Sequence, residues 1–249
     1  MAAESSITPL GIVRALWLYP VKSMRGRAVD TVAAGWAGLE GDRRYAFVQT
    51  GDASGFPWAT ARNIPEMLKH EAYYTDPDRP AKSGVRIGVP DGRDLAVDDP
   101  SLAAALTESL GRPISLTRMN RGAFDNMPIS LLTTTSVATI GADAGHESLD
   151  YRRFRPNVLI EPHESADGRT PEAGWAGQTI RFGETGAALR VDFRIKRCRV
   201  ITLDPDSIER DQSVLDTVYE AHDGCAGVYA TTVRPGAIRV GDVLRIERE

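Results

Sequence analysis

Leu189–Asp206, LRVDFRIKRCRVITLDPD, is the stretch from which the fold is read. Val191, Phe193 and Ile195 alternate with Asp192, Arg194 and Lys196, which predicts a strand over Leu189–Ile201 with one buried face. The Asp204-Pro205-Asp206 turn follows it. The same alternation places Cys198 on the polar face with Arg194 and Lys196. Cations around a thiol stabilise its thiolate, and a thiolate is a nucleophile or a soft metal ligand. The alternative is a small apolar cysteine packed in the core.

Outward from this run the chain reads mostly as short strands. Gly11–Tyr19 is apolar and ends at Pro20. Ala28–Val32 and Arg44–Gln49 follow, and Val85–Val89 with Asp94–Val97 flank Pro90-Asp91-Gly92 as a hairpin. Ser101–Leu110 reads as a helix with Ser101 as N-cap and Gly111 as its stop. Past a polar boundary at Arg118–Asn126 come strands at Pro128–Leu132 and Asn157–Ile160, with a helix over Thr135–Ile140 between them. Thr179–Phe182, a helix over Asp211–His222, Val228–Val233 and Val243–Ile246 complete the pattern. The pattern predicts a mainly β, α+β chain with a barrel-like arrangement rather than βαβ units. Its boundary divides it into residues 1–117 and 118–249.

Composition is that of an ordinary globular protein, with 42% hydrophobic and 26% charged residues. A formal net charge of -4 gives no whole-chain reason to expect nucleic acid. Yet ten Arg or Lys fall between Arg152 and Arg199, a basic cluster suited to an anion or to a solvated face. Two cysteines, Cys198 and Cys225, cannot build a disulfide framework. The opening MAAESSITPL lacks a basic region and apolar core, so no secretion signal is expected. No apolar run nears the roughly 20 residues that span a bilayer. The expectation is a cytoplasmic protein with no membrane or nucleic-acid partner.

Other stretches offer chemistry. Arg152–Asn157, RRFRPN, concentrates guanidinium forks suited to phosphate. Pro156 biases Arg155 toward an extended backbone, with Arg153 and Arg155 projecting to one side. Tyr19–Ser23, YPVKS, offers the Lys22 ammonium and Ser23 hydroxyl after a strand, and Thr60-Ala61-Arg62 adds one more cation. Exposed salt bridges and surface turns would explain all three. The four histidines are scattered without zinc-ligand spacing. Gly-x-Gly-x-x-Gly, the P-loop and Gly-x-Ser-x-Gly motifs are absent.

Together these residues resemble the MOSC family, named for the C-terminal domain of molybdenum cofactor sulfurase. LYPVKS (Leu18–Ser23), GLEGDR (Gly38–Arg43) and Thr60–Arg62 resemble its N-terminal β-barrel domain, the smaller of the two. FRPN (Phe154–Asn157), KRCRVITLDPD (Lys196–Asp206) and Gly227–Val243 resemble the MOSC β-barrel domain. In layout the chain is similar to mitochondrial amidoxime-reducing components and their stand-alone bacterial counterparts. The resemblance implies a molybdenum cofactor whose metal is bound by the pterin dithiolene and one protein thiolate, with Cys198 at that thiolate's position. It implies cofactor contacts from Lys22, Ser23 and Arg62 in the first half and from Arg155 and Asn157 in the second. Arg153, Lys196 and Arg197 complete the cationic set, and Thr135 and Ser136 fall near another contacting segment. Pyridoxal phosphate binding comes with the family only as a general association.

The function so implied is reduction of small N-oxygenated substrates: hydroxylamines, amidoximes and N-hydroxylated bases. Ile195 stands where many amidoxime-reducing relatives have the first cysteine of a Cys-x-x-Cys, which separates this chain from close substrate equivalence. No Cys-rich ferredoxin tail follows, so electrons are expected from a separate reductase, ferredoxin-like or cytochrome b5-like protein. The alternative is a carrier of molybdenum cofactor or of sulfur, with Cys198 as a persulfide. Cys225 reads as a packing residue or a second thiol near the site.

Overall fold

The computed structural model describes residues 9–163 and 170–247. The start of the chain, residues 1–8, where a secretion signal would stand, lies outside them. The first strands are β1 (Gly11–Leu18), β2 (Arg27–Val29), β3 (Thr31–Gly35), β4 (Gly38–Leu39) and β5 (Tyr45–Gln49). Next come β6 (Glu71–Tyr74), β7 (Val85–Gly88), β8 (Asp94–Ala96), α1 (Pro100–Leu110) and β9 (Ile114–Arg118). The second half contains β10 (Ile129–Thr133), α2 (Thr134–Asp143), β11 (Val158–Pro162), β12 (Thr179–Phe182) and β13 (Ala188–Lys196). It ends with α3 (Gln212–Ala221), β14 (Cys225–Arg234), β15 (Gly236–Arg239) and β16 (Val243–Ile246).

The mainly β, α+β class is the one expected. The largest sheet runs β11-β10-β14-β13-β12-β16-β1-β2, and a further β11–β1 pairing closes seven of its strands on themselves. Closure removes free strand edges and leaves an interior just wide enough for side chains. Leu16, Leu131, Val158, Ile180, Phe182, Val191, Val228 and Leu244 fill it. Each such side chain stabilises the barrel by about 1.5–3 kcal/mol relative to exposure. The same apolar cluster continues through Phe47, Met67, Ile87, Leu102 and Leu106, so one core serves both halves. A second cluster, including Val137, Ile140, Val214 and Val218, packs α2 and α3 outside the barrel against Leu132 and Leu159. No helix among the described residues is long and apolar enough to cross a membrane.

Three local expectations are corrected. The strand predicted over Leu189–Ile201 stops at Lys196, and Arg199–Thr202 winds into a short 3-10 turn with Cys198 at its N-terminal boundary. Register shifts between Val191 and Phe193 and between Arg194 and Lys196 break the strict alternation, leaving Phe193 41% exposed. Such bulges re-aim side chains and bend the strand. At α1 the N-cap is Asp99 rather than Ser101: its carboxylate accepts from the Ser101 amide, and Pro100 takes the first helical position. Gly111, in the left-handed region at φ 70, ends that helix as expected. Finally, Arg155 is not extended but left-handed, at φ 51, because it terminates a 3-10 turn over Tyr151–Phe154.

Candidate functional site

A cavity of about 120 Å³ opens where the turn after β1, the loop before β10, the Tyr151–Phe154 turn and the end of β13 converge. Its lining has six cations, Lys22, Arg43, Arg62, Arg153, Arg155 and Arg197, against the single carboxylate of Asp125. Ser23, Thr60, Ser130, Asn157, Cys198 and Tyr229 complete its polar wall, and Phe124, Met127, Ile195 and Ile201 supply apolar surface.

Lys22 is 4% exposed, and its Nζ donates to Ala123 O at 2.8 Å and to the Asp125 carboxylate. Burial pushes this ammonium below its ordinary range, against the pull of Asp125. The Phe56 and Trp58 rings lie 5.5 and 5.9 Å from the same nitrogen, a cation–π arrangement. Arg62 donates to the other Asp125 oxygen at 3.0 Å. Burial opposes the Arg62 charge, but Cys198 and Asp125 outweigh it and strengthen the guanidinium's hold on its proton. Asp125 resists its own burial through Lys22, Arg62 and Arg43, which hold its carboxyl below the usual range.

Of the other arginines, Arg155 and Arg197 have no carboxylate partner among the described residues, whereas Arg43 and Arg153 do. Arg43 pairs with the fully buried Asp42, which also accepts from Tyr19 N at 2.9 Å. Arg43 and Arg155 lie over the Tyr19 ring, 4.8 and 4.4 Å from its centroid. Arg153 donates to Thr202 O at 3.0 Å and to Asp204 at 3.2 Å. Arg197 donates to two backbone carbonyls, Ala226 O at 2.7 Å and Phe154 O at 2.9 Å. Burial pushes both Arg155 and Arg197 down to about 10. Arg153 Nε, Arg155 Nη2 and Arg197 Nη2 are buried with no hydrogen-bond acceptor among the described residues. A buried charged donor left unpaired costs more than the about 1–3 kcal/mol of a neutral one.

Eight of the residues singled out in the sequence therefore line one cavity: Lys22, Ser23, Arg62, Arg153, Arg155, Asn157, Arg197 and Cys198. Three do not. Lys196 is exposed at the last position of β13. Thr135 and Ser136 lie in the first turn of α2 and off the cavity wall. Ser136 is fully buried, donating to Glu172 Oε2 at 2.6 Å beside the cap residue Thr133. Asn157 reaches the wall with its amide already engaged. Its Oδ1 accepts from Ser130 N and Oγ at 3.2 and 3.0 Å, and its Nδ2 donates to Trp17 O at 3.3 Å. Cys225 is buried, paired across the sheet with Lys196 and outside the lining. Sequence reasoning missed Arg43, Asp125 and Tyr229. Arg43 stood within GLEGDR and Asp125 within the polar boundary Arg118–Asn126, but neither stretch reveals which side chain turns inward.

The cavity thus offers one half-exposed thiol and arginines of which three keep one N–H without an acceptor among the described residues, chemistry that suits a soft metal complex with an anionic tail. Among the described residues, no group of three His, Cys, Asp or Glu could hold a metal ion by itself. A lone thiol is a soft donor, and guanidinium groups suit an anionic ligand.

The sequence matches the MOSC domain over residues 118–245 and the MOSC N-terminal beta barrel domain over residues 10–127. The chain belongs to the MOSC domain family, which is associated with the molybdenum cofactor. Among solved structures, it is similar to the YUAD protein from Bacillus subtilis. That structure is 14% identical, with a TM-score of 0.51 and coverage of 95% of this chain and 94% of that one. At this identity the likeness concerns the fold. YiiM from Geobacillus stearothermophilus is 15% identical over 49% of this chain and 55% of that one, with a TM-score of 0.36. YiiM from Escherichia coli is 12% identical over 51% and 58%, also at 0.36. A search of curated proteins gave no significant match.

Proposed function

We propose that this chain holds a molybdenum cofactor in the cationic cavity and reduces N-hydroxylated compounds with electrons from a separate protein. The observation that carries this reading is that Cys198 lines one cavity with Arg153, Arg155 and Arg197, each of which has a buried N–H without an acceptor among the described residues. Cys198 would give the metal its protein thiolate, while Arg153, Arg155 and Arg197 would hold the anionic end. When bound, the cofactor supplies the two-electron redox chemistry that side chains lack.

The chain's own residues prepare the site. Arg62 stands against Cys198 and Asp125, which hold its guanidinium charged. Asp125, kept ionised by Lys22 and Arg62, locks both cations in place. Phe124, Met127 and Ile201 exclude water on the apolar side, which strengthens every charge interaction within. The net reaction is R–NHOH plus two electrons and two protons giving R–NH₂ and water, cleaving one N–O bond. Cytoplasmic residence belongs to the same reading.

The test is molybdenum and released pterin per chain, from a host that makes the cofactor, for the parent and Cys198→Ala. Near-stoichiometric molybdenum in the parent and its loss in a variant of unchanged melting temperature would support the reading, as would hydroxylamine reduction with a chemical reductant. Neither metal nor pterin in the parent would overturn it. Pterin retained without metal dependence on Cys198 would favour a carrier instead.

A further inference from the structure

Val228 and Ala230 of β14 face the barrel interior, so Tyr229 between them points the other way, into the cationic cavity. It stands opposite Ser130 of β10 on one side and Phe193 of β13 on the other. The Phe193 ring meets its ring edge-on at 5.8 Å and braces it. The Tyr229 hydroxyl makes no hydrogen bond among the described residues. The charged groups that act on it come from several walls of the cavity: Arg197 after β13, Asp125 before β10, Arg43 and Cys198. Burial, with Asp125 and Cys198, pushes the phenol above its ordinary range, while Arg197 and Arg43 pull it down. The hydroxyl therefore keeps its proton at neutral pH, and two guanidinium groups stand ready to steady a phenolate.

The other proton-bearing groups of the wall are engaged or unsuited. Lys22 donates to Ala123 O and to Asp125, and its proton carries the charge that Asp125 requires. The guanidinium groups would lose, with a proton, the charge that suits them to an anion. The Ser130 hydroxyl donates to Asn157 Oδ1 at 3.0 Å. Ser23 and Thr60 are alcohols, far weaker acids than a phenol, whose ordinary value is about 10. We propose that Tyr229 is the proton donor to the departing oxygen in N–O cleavage. The proposal rests on the reductase reading above, in which two electrons come from a separate donor protein. The N–O bond of R–NHOH breaks, the oxygen leaves as water with the Tyr229 proton, and the nitrogen takes its proton from solvent. The phenolate, steadied by Arg197 and Arg43, is then reprotonated from solvent.

The test compares Tyr229→Phe with the parent, both molybdenum-loaded, on phenylhydroxylamine with dithionite-reduced methyl viologen as donor. The variant should lose about 100-fold or more in kcat, with KM, molybdenum content and melting temperature unchanged. The parent-to-variant ratio of kcat should also grow from about pH 6 to about pH 9, because only the variant must draw this proton from solvent. A variant whose kcat stays within about twofold of the parent overturns the proposal. So does a loss that is constant with pH, or one matched by loss of molybdenum, since the ring then only shapes the cavity or holds the cofactor. A second readout needs neither cofactor nor turnover. In the cofactor-free chain, the labelled-tyrosine resonance missing from Tyr229→Phe should show no ionisation below about pH 10. Ionisation near neutral pH overturns the proton-donor role. A parent that takes up no molybdenum or reduces nothing sinks the reductase reading and this role with it, whereas a fully active Tyr229→Phe sinks only the role of Tyr229.

Discussion

Asn157 and Arg155 stand on the same cavity wall, yet their removal should have opposite consequences. The Asn157 amide joins Ser130 to Trp17, so Asn157→Ala strands buried backbone and hydroxyl groups. It should cost about 2–3 kcal/mol in urea unfolding. Among the described residues Arg155 has no carboxylate hydrogen-bonded to it, and its Nη2 is orphaned. Arg155→Met should therefore leave the melting temperature unchanged or raised, because an uncompensated buried charge is removed. Molybdenum loading should fall in the same variant. Loss of stability without loss of loading would show that Arg155 serves the fold instead.

Asp125 gives the site an acid limb. Its carboxyl is held below the ordinary range by Lys22 and Arg62, against burial. A folded-state value below the unfolded one gives stability that is present above about pH 4 and lost as pH falls through the folded value. Melting temperature followed from pH 6 to about pH 3 should decline less steeply in Asp125→Asn than in the parent. Parallel declines would show that the Lys22–Asp125 contact adds nothing to folding. The cations of this site were legible because RRFRPN and KRCRV concentrate them within a few residues. Asp125 was not, since it meets Lys22 across a separation of 103 positions and stands in a polar stretch that reads as a boundary.

Among the elements, the strands with one consistently buried face were visible in the sequence, and the irregular ones were not. Val85–Val89 and Asp94–Val97 anticipate the β7–β8 hairpin because a Pro-Asp-Gly turn separates two alternating runs. Two-residue β4, and β9 in its two-stranded sheet, carry too little apolar pattern to stand out. Ala28–Val32 merged β2 and β3, which part at Asp30 and join different sheets. Phe193 misled because a bulge in β13 shifts register, and periodicity cannot signal an inserted residue. The cap of α1 gives a direct check. Asp99→Ala should destabilise the protein by about 1 kcal/mol, and Ser101→Ala by much less, because the Asp99 carboxylate is the acceptor. Equal losses would restore Ser101 as the cap.

In the whole molecule, the barrel does not respect the division at residues 117 and 118. β1 pairs with β11 from Gly11↔Pro162 to Leu16↔Val158 and with β16 through Gly11↔Leu244. A fragment of residues 118–249 would leave both partner edges open. It should aggregate or lack a cooperative thermal transition, and coexpression with residues 1–117 should recover one. A fragment that melts cooperatively alone would show that β1 is dispensable. This closure was invisible in the sequence, where Gly11–Tyr19 announces a strand but names no neighbours.

The first strand made is therefore among the last to be satisfied. Gly11 leaves the ribosome 151 residues ahead of Pro162, its partner in β11. At about 5–20 residues per second that is a wait of about 8–30 s. Throughout it the apolar ribbon Gly11–Leu18 has only β2, against Leu16–Leu18, of its own sheet to pair with. Synthesis is the interval in which this protein is most exposed to mispairing, and slower translation through the middle of the message would lengthen it.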